Sequence, residues 1–103
     1  MLKQIVIDYR AEKELDKFSE DVYYKFEGLT NILRNTGKVD FPDGKKIGKR
    51  LFELRVKIKG EYRGLYAYIK DNQIIILHFF RKKTQKTPIK DIKVSEKRLK
   101  DYE

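Results

Sequence analysis

Apolar and charged residues alternate over Leu51 to Lys59, a stretch in which every second side chain is hydrophobic. A period of two predicts a β-strand with one buried face and one polar face. The apolar positions are Phe52, Leu54, Val56 and Ile58, and the polar positions are Glu53, Arg55, Lys57 and Lys59. Gly60 follows, which favours a tight hairpin turn with one residue at positive φ. The chain then returns in a second predicted strand, Tyr62 to Lys70.

A third strand is predicted over Gln73 to Arg81, after a turn at Asp71-Asn72. Its run from Ile74 to Leu77 is apolar without a break, which is typical of a central strand covered on both faces. A fourth strand, Lys3 to Tyr9, stands alone near the N-terminus, and we expect it to pair with one of the others at long range.

Between Ala11 and Asn35 the apolar residues recur every three or four positions, which predicts an amphipathic helix. Ser19 stands before two acidic residues in this region, and that is an N-cap pattern, because a serine oxygen accepts from the free amides of a first turn. We therefore predict a short helix ending near Phe18 and a longer one from Glu20 to about Asn35, closed by Gly37. One continuous helix is the alternative.

The remaining segments complete an α+β fold. Gly37 to Lys49 is predicted to be a loop, because proline and glycine punctuate it. A basic loop, Arg81 to Pro88, leads into a last helix, Ile89 to Lys100, which Pro88 starts. Its predicted inward positions are Ile89, Ile92 and Leu99. The order is strand, two helices, three strands and a helix, which gives one domain over residues 1–103 with an antiparallel sheet of about four strands.

Charge is distributed unevenly along the chain. The 25 lysines and arginines and the 16 acidic residues give a formal net charge of +9. Residues 1–44 hold 7 basic and 9 acidic side chains, whereas residues 45–103 hold 18 basic and 7 acidic ones. A basic field of this kind fits a phosphate-rich partner or an acidic protein. A lysine-rich surface that serves only solubility is the competing interpretation.

Composition also excludes several kinds of site. There is no cysteine, which rules out disulfides and thiolate chemistry, and a single histidine rules out a histidine-based metal cluster. We expect neither a metal nor a cofactor. No apolar stretch approaches the 18 residues of a membrane span, so we expect a soluble cytoplasmic protein without a membrane partner.

The polar face of the hairpin carries the first candidate site, Glu53, Arg55 and Arg63. A two-residue turn at Gly60-Glu61 would send Arg63 to the apolar face, whereas a three-residue turn, Lys59 to Glu61, pairs Lys57 with Arg63 and brings Arg63 beside Arg55. We favour the three-residue turn, because a buried arginine needs a partner. The cluster then either grips a phosphate, with its carboxylate as base or orienter, or forms an ordinary cross-strand ion pair.

The basic residues after the third strand, two tyrosines and the histidine are further candidates for function, and each also has a purely structural interpretation. Arg81, Lys82, Lys83 and Lys86 follow one another at a strand end, where they form either a polyanion clamp or a solvated loop. Core packing is the favoured interpretation for Tyr66 and Tyr68. His78 lies among apolar residues, where a satisfied core residue is favoured over a catalytic one.

Three segments, LFELR, YRGLY and HFFRKKTQKTP, occur in this order before a basic helix. Together they resemble RelE/HigB-type toxins of bacterial toxin–antitoxin pairs, especially their phage-derived branch, over about Leu15 to Tyr102. The resemblance implies helices on one face of an antiparallel sheet, with a basic concave surface opposite. It also implies a ribosome-dependent endoribonuclease that cuts mRNA without metal, by attack of the RNA 2′-hydroxyl on the adjacent phosphate.

The same resemblance assigns roles to residues. Glu53 and Arg55 occupy the positions of base and phosphate ligand, Arg63 matches the arginine that stabilises the transition-state charge, and Lys82 matches the basic residue ending the last strand. The implied RNA-binding surface comprises Lys45, Lys46, Lys49, Lys57, Arg81, Lys83 and Lys86. Several members carry a tyrosine or histidine shortly after that strand, and Thr84 to Pro88 has neither. The candidates for the general acid are Lys82, Lys83, His78 and Tyr102.

The resemblance therefore predicts a toxin that cuts mRNA on the ribosome and is held in check by an antitoxin with a helix-turn-helix domain. The alternatives are a non-enzymatic RNA- or DNA-binding module that uses the same basic face, and a toxin homologue that has lost its activity.

Overall fold

The computed structural model describes residues 2–70 and 72–103, which form five strands, three α-helices and a final 3-10 turn. The strands are β1 (Gln4–Ile7), β2 (Gly44–Lys46), β3 (Phe52–Lys57), β4 (Glu61–Ile69) and β5 (Gln73–Lys82). The helices are α1 (Tyr9–Asp16), α2 (Glu20–Thr36) and α3 (Ile89–Leu99), and the 3-10 turn is Lys100–Tyr102. The α+β class and the predicted order of the main elements are confirmed. The predicted turn at Asp71-Asn72 lies partly outside the described residues.

All five strands belong to one sheet in the order β1-β5-β4-β3-β2. The sheet is mixed rather than antiparallel, because β1 runs parallel to β5 while the other neighbours are antiparallel. The expected long-range pairing of the N-terminal strand is thus confirmed, with β5 as its partner. The predicted count of four strands misses β2, which lies within the segment predicted to be a loop. Three residues, Gly-Lys-Lys, carry no alternation that could have revealed a strand.

Helices α1 and α2 cover one face of the sheet and form the larger core with it. The predicted break between them is confirmed, since the Ser19 hydroxyl accepts from the backbone N–H of Val22 at 3.4 Å. Gly37 caps helix α2: its N–H donates to the carbonyl of Leu33, and its φ of 84° turns the chain out of the helix. Tyr66 and Tyr68 pack in or against this core, as predicted.

Helix α3 packs on the opposite face of the sheet, so the expectation that all helices share one face is wrong. Its residues Ile92 and Leu99 contact a second core around Ala67, Ile75 and Leu77. The reason lies in β5, whose apolar run is buried on both sides and therefore needs cover on both. That run confirms the prediction of a doubly covered central strand. Ile89, predicted to face inward, is 70% exposed.

Because α3 covers only part of its face, the β3–β4 hairpin and the end of β5 remain open beside it. No helix among residues 2–70 and 72–103 is long and apolar enough to cross a bilayer.

Candidate active site

The β3–β4 hairpin sets the geometry of the site. Arg55 lies directly opposite Arg63, Glu53 opposite Leu65, and Lys57 opposite Glu61. Side chains of directly opposed residues project from the same face of a sheet, so Glu53, Arg55 and Arg63 share one face. The turn has three residues, as predicted, but these are Ile58, Lys59 and Gly60. The partner of Lys57 is therefore Glu61, two residues before the predicted partner Arg63. Both Lys59 and Gly60 have positive φ, 51° and 146°.

Glu53 is almost completely buried and contacts both arginines. Its side chain is 3% exposed, and its Oε1 atom lies 3.6 Å from Nε of Arg63 and 3.7 Å from Nε of Arg55. The other oxygen, Oε2, accepts a hydrogen bond of 2.8 Å from the hydroxyl of Thr87, in the loop before α3. Since both oxygens are engaged below the surface, this carboxylate is placed to orient the arginines rather than to meet a substrate.

Arg63 lies beneath the surface as well. Its side chain is 2% exposed. One terminal nitrogen donates to Glu61 Oε1 at 2.8 Å, and the other donates to the carbonyl of Tyr62 at 3.0 Å. Within residues 2–70 and 72–103, its buried Nε atom has no hydrogen-bond partner. The hydrogen bond from Arg63 lowers the pKa of Glu61, which keeps that carboxylate ionised.

A cleft of about 650 Å³ opens above Glu53 and Arg63. Five cationic side chains and one carboxylate line it, together with two polar residues of the loop after β5: Arg55, Lys57, Glu61, Arg63, Lys82, Lys83, Thr84 and Gln85. Burial lowers the pKa of Lys82, and the positive charges of Arg63 and Arg55 lower it further, although Glu53 and Glu61 oppose them. Concentrated positive charge in a concave surface favours a phosphate ligand.

The residues predicted to be catalytic therefore lie close together: Arg55, Arg63 and Lys82 line the cleft, and Glu53 lies under it. Of the predicted RNA-binding residues, Lys57 and Lys83 also line it. Glu61 was missed, although the hairpin parity that placed Arg63 on this face places Glu61 there too.

Other predicted RNA-binding residues lie elsewhere. Arg81 is on the opposite face of the sheet, 5.7 Å from the ring centroid of Tyr62, because β5 continues to Lys82 and adjacent strand residues alternate in direction. Lys46 also points to that face, over Phe52. Lys45 is the edge-strand partner of Glu53 and shares its face of the sheet, but it does not line the cleft. Lys49 lines a separate cavity beside α3, and Lys86 is exposed beyond the residues that line the cleft.

Two candidates for the general acid are engaged away from the cleft. His78 is buried, and its ring nitrogens lie 2.9 Å from Glu14 Oε1 and 2.7 Å from Asp91 Oδ1. The interpretation of His78 as a satisfied core residue is confirmed. The hydroxyl of Tyr102 donates to Asp8 at 2.7 Å, and burial together with this carboxylate raises the pKa of Tyr102 to about 12. Lys82 and Lys83 remain in reach of a ligand in the cleft.

Comparison with known proteins identifies relatives of this fold. A family described as "Phage derived protein Gp49-like" matches residues 13–100. No curated protein sequence matches the chain at a significant level.

Several solved structures share the architecture at low sequence identity. A mutant of the Escherichia coli toxin RelE in the free state, in which two arginines are replaced by alanine, has a TM-score of 0.70 at 14% identity, over 98% of this chain and 98% of that one. The RelBE2 toxin–antitoxin complex of Mycobacterium tuberculosis contains a chain with a TM-score of 0.62 at 16% identity, over 80% of this chain and 100% of that one. The intact E. coli RelBE toxin–antitoxin complex gives 0.56 at 16% identity, over 80% and 99%. At such identities the likeness establishes the fold.

Proposed function

The chain belongs to the Gp49-like family of phage-derived proteins and has the RelE fold, and on these grounds we propose that it is the toxin of a toxin–antitoxin pair that cuts mRNA on the ribosome. The observation that supports this most strongly is the convergence of Arg55, Arg63 and Lys82 on one cleft. Cationic side chains from two hairpin strands and from the end of β5 surround a space open to solvent, as a phosphodiester requires.

The two arginines act at different depths. Arg55 is 26% exposed and stands at the rim, where its guanidinium is free to bind a non-bridging phosphate oxygen. Arg63 lies on the floor, already bonded to Glu61, and acts on the phosphate through its positive charge. Glu53 contacts both arginines through one carboxylate oxygen, so its role is to position them.

The reaction is a transfer within the RNA. The 2′-oxygen forms a bond to the adjacent phosphorus while the bond from phosphorus to the 5′-oxygen breaks, which leaves a cyclic phosphate and a 5′-hydroxyl. Glu61 is the carboxylate that lines the cleft, and it takes the 2′-hydroxyl proton in place of the buried Glu53. Lys82 gives a proton to the leaving 5′-oxygen, which is easier because burial lowers its pKa.

The test is Arg55→Ala, with Arg81→Ala as its matched control. Both variants remove one solvent-accessible arginine from the same sheet, Arg55 partly exposed and Arg81 exposed, but Arg81 lies on the face away from the cleft. We expect Arg55→Ala to slow mRNA cleavage on translating ribosomes about a hundredfold and to relieve growth arrest, because loss of one positioned charge-stabilising group has that order of effect. Arg81→Ala should arrest growth like the wild type. Arg63→Ala is a poorer test, since it leaves Glu53 and Glu61 without their buried partner.

Undiminished cleavage by Arg55→Ala would refute the proposed site. Salt-sensitive RNA or DNA binding without cuts, by the wild type on translating ribosomes, would instead favour the non-enzymatic binding module. Two of the similar structures are toxin–antitoxin complexes, which supports an antitoxin as the protein partner of this chain. Co-expression with the product of a small neighbouring gene should then abolish growth arrest, and the two proteins should purify together.

A further inference from the structure

Phe41 is a large aromatic residue exposed next to the cationic cleft. Its side chain is 71% exposed, the highest value among the large hydrophobic residues of the described chain. It stands in the turn between α2 and β2, outside both hydrophobic cores. Packing therefore does not account for an aromatic side chain at this position.

Backbone hydrogen bonds order the turn that carries Phe41. The N–H of Gly44 donates to the carbonyl of Asp40 at 3.0 Å, and the N–H of Arg55 donates to the carbonyl of Asp43 at 2.8 Å. A Cβ atom at Gly44 would lie 2.2 Å from the carbonyl oxygen of Val39, so the close approach of the two segments requires glycine. The main chain thus sets the position of Phe41 in the turn, and its ring faces solvent.

Arg55 connects the aromatic ring to the site. Its guanidinium lies 5.5 Å from the ring centroid of Phe41, while its Nε atom lies 3.7 Å from Glu53. A second cleft, of about 320 Å³, is lined by Phe41, Pro42, Asp43 and Val56 and shares Arg55, Lys57 and Glu61 with the cationic cleft. The two clefts are therefore neighbours with a common wall, and Phe41 contributes the aromatic ring of the second cleft.

We propose that Phe41 is a stacking platform for one nucleobase of the RNA strand whose phosphate lies in the cationic cleft. This inference rests on the proposed function in so far as that function brings RNA to the cleft. Aromatic rings and arginine planes bind unpaired bases by stacking, and a phosphate and a base of the same strand are neighbours. Arg55, between the ring and the phosphate, sets the distance between the two subsites.

The experiment compares two fluorescent single-stranded oligonucleotides of equal length and charge, one of RNA and one in which the bases of the central nucleotides are missing. Affinity is measured by fluorescence anisotropy at several salt concentrations. We expect Phe41→Ala to weaken binding of the intact RNA by about fivefold to a hundredfold, the range of one base–aromatic stack. It should leave the affinity for the abasic strand and the salt dependence unchanged. Arg55→Ala should weaken binding of both strands and reduce the salt dependence, because it removes a phosphate contact.

Two further variants isolate the stacking. Phe41→Tyr keeps a flat aromatic ring and should bind as the wild type does, whereas Phe41→Leu keeps hydrophobic bulk and should behave as Phe41→Ala. Tyr24→Ala is the matched control, since Tyr24 is an aromatic residue of α2 that is 63% exposed and does not line either cleft.

Three results would overturn the platform: equal affinities of the wild type for both strands, including no binding of either; equal losses on both strands in Phe41→Ala; or a Phe41→Ala variant that binds RNA normally but fails to bind a partner protein. Failure of the proposed function looks different. If the protein stacks bases on Phe41 but does not cut mRNA, the stacking proposal stands and the proposed nuclease function is refuted.

Discussion

Glu14 joins three elements that the chain brings together from distant positions. From α1, its Oε1 atom lies 2.9 Å from the Nδ1 atom of His78 on β5 and accepts the backbone N–H of Phe79 at 3.1 Å. Arg98 of α3 donates to both of its oxygens, at 2.9 and 3.0 Å. Helix α3 is therefore held to the sheet through a carboxylate of α1, and the substitution Glu14→Gln removes the charge while keeping the size of the side chain.

The expected loss of stability follows from the pKa of Glu14. Burial raises this pKa, but hydrogen bonds from His78 and Arg98 outweigh burial and lower it from 4.5 to about 2. Each pKa unit corresponds to about 1.4 kcal/mol, which gives about 3 kcal/mol. The side chain is 24% exposed, and solvent screening reduces our expectation to about 2 kcal/mol.

The pH dependence has a definite sign. A carboxyl group whose pKa is lower in the folded state stabilises the fold above its unfolded pKa, about 4.5, and loses that contribution as pH falls towards about 2. Urea unfolding followed by circular dichroism should therefore show Glu14→Gln about 2 kcal/mol less stable than the wild type at neutral pH. The difference should shrink between about pH 4.5 and about pH 2.

The matched control is Glu27→Gln, at an exposed position of α2, which should change stability by less than about 0.5 kcal/mol at any pH. Equal stabilities of Glu14→Gln and wild type at neutral pH would contradict the argument. So would a difference that stays constant through the acidic range, because it would then come from packing and not from the charge.

Two further predictions concern glycines and the cleft. Gly64→Ala places a Cβ atom 2.7 Å from the ring of Phe79 and should cost about 1–3 kcal/mol in urea unfolding. Gly28→Ala, in α2 with open space around it, should instead stabilise the protein by up to about 1 kcal/mol. Stability changes in the same direction for Gly64→Ala and Gly28→Ala would refute the packing argument. Glu61→Gln removes the carboxylate of the cleft and releases Arg63, so RNA should bind more tightly while cleavage is lost; cleavage at the wild-type rate would exclude Glu61 as the base.

The hairpin was predictable from sequence because its information is local. Alternation in β3 assigned each side chain to a face, and the cost of burying an unpaired arginine selected the three-residue turn. Together these place Arg55 and Arg63 side by side, as the structure does. The exact register depended on which three residues form the turn, and that choice was off by one position. Arg81 was misplaced because the end of β5 was set one residue too early.

The remaining features depend on contacts between distant segments. Glu14 and Asp91 are polar residues of amphipathic helices, and only the packed structure shows that they meet His78. Helix α3 has a basic outer face and few apolar residues, so its sequence does not reveal which face of the sheet it covers. Phe41 gave no signal, since a single aromatic residue in a turn has no periodicity.

The pairing of β1 with β5 has a consequence for how the protein comes into being. Strand β1 leaves the ribosome before β5 and must wait for it, because its parallel partner is residues 73–76 of β5. Until then the hairpin lacks the strand that closes one side of the cleft. The cationic cleft is therefore complete only after β5 has been synthesised through Lys82 and has joined the sheet.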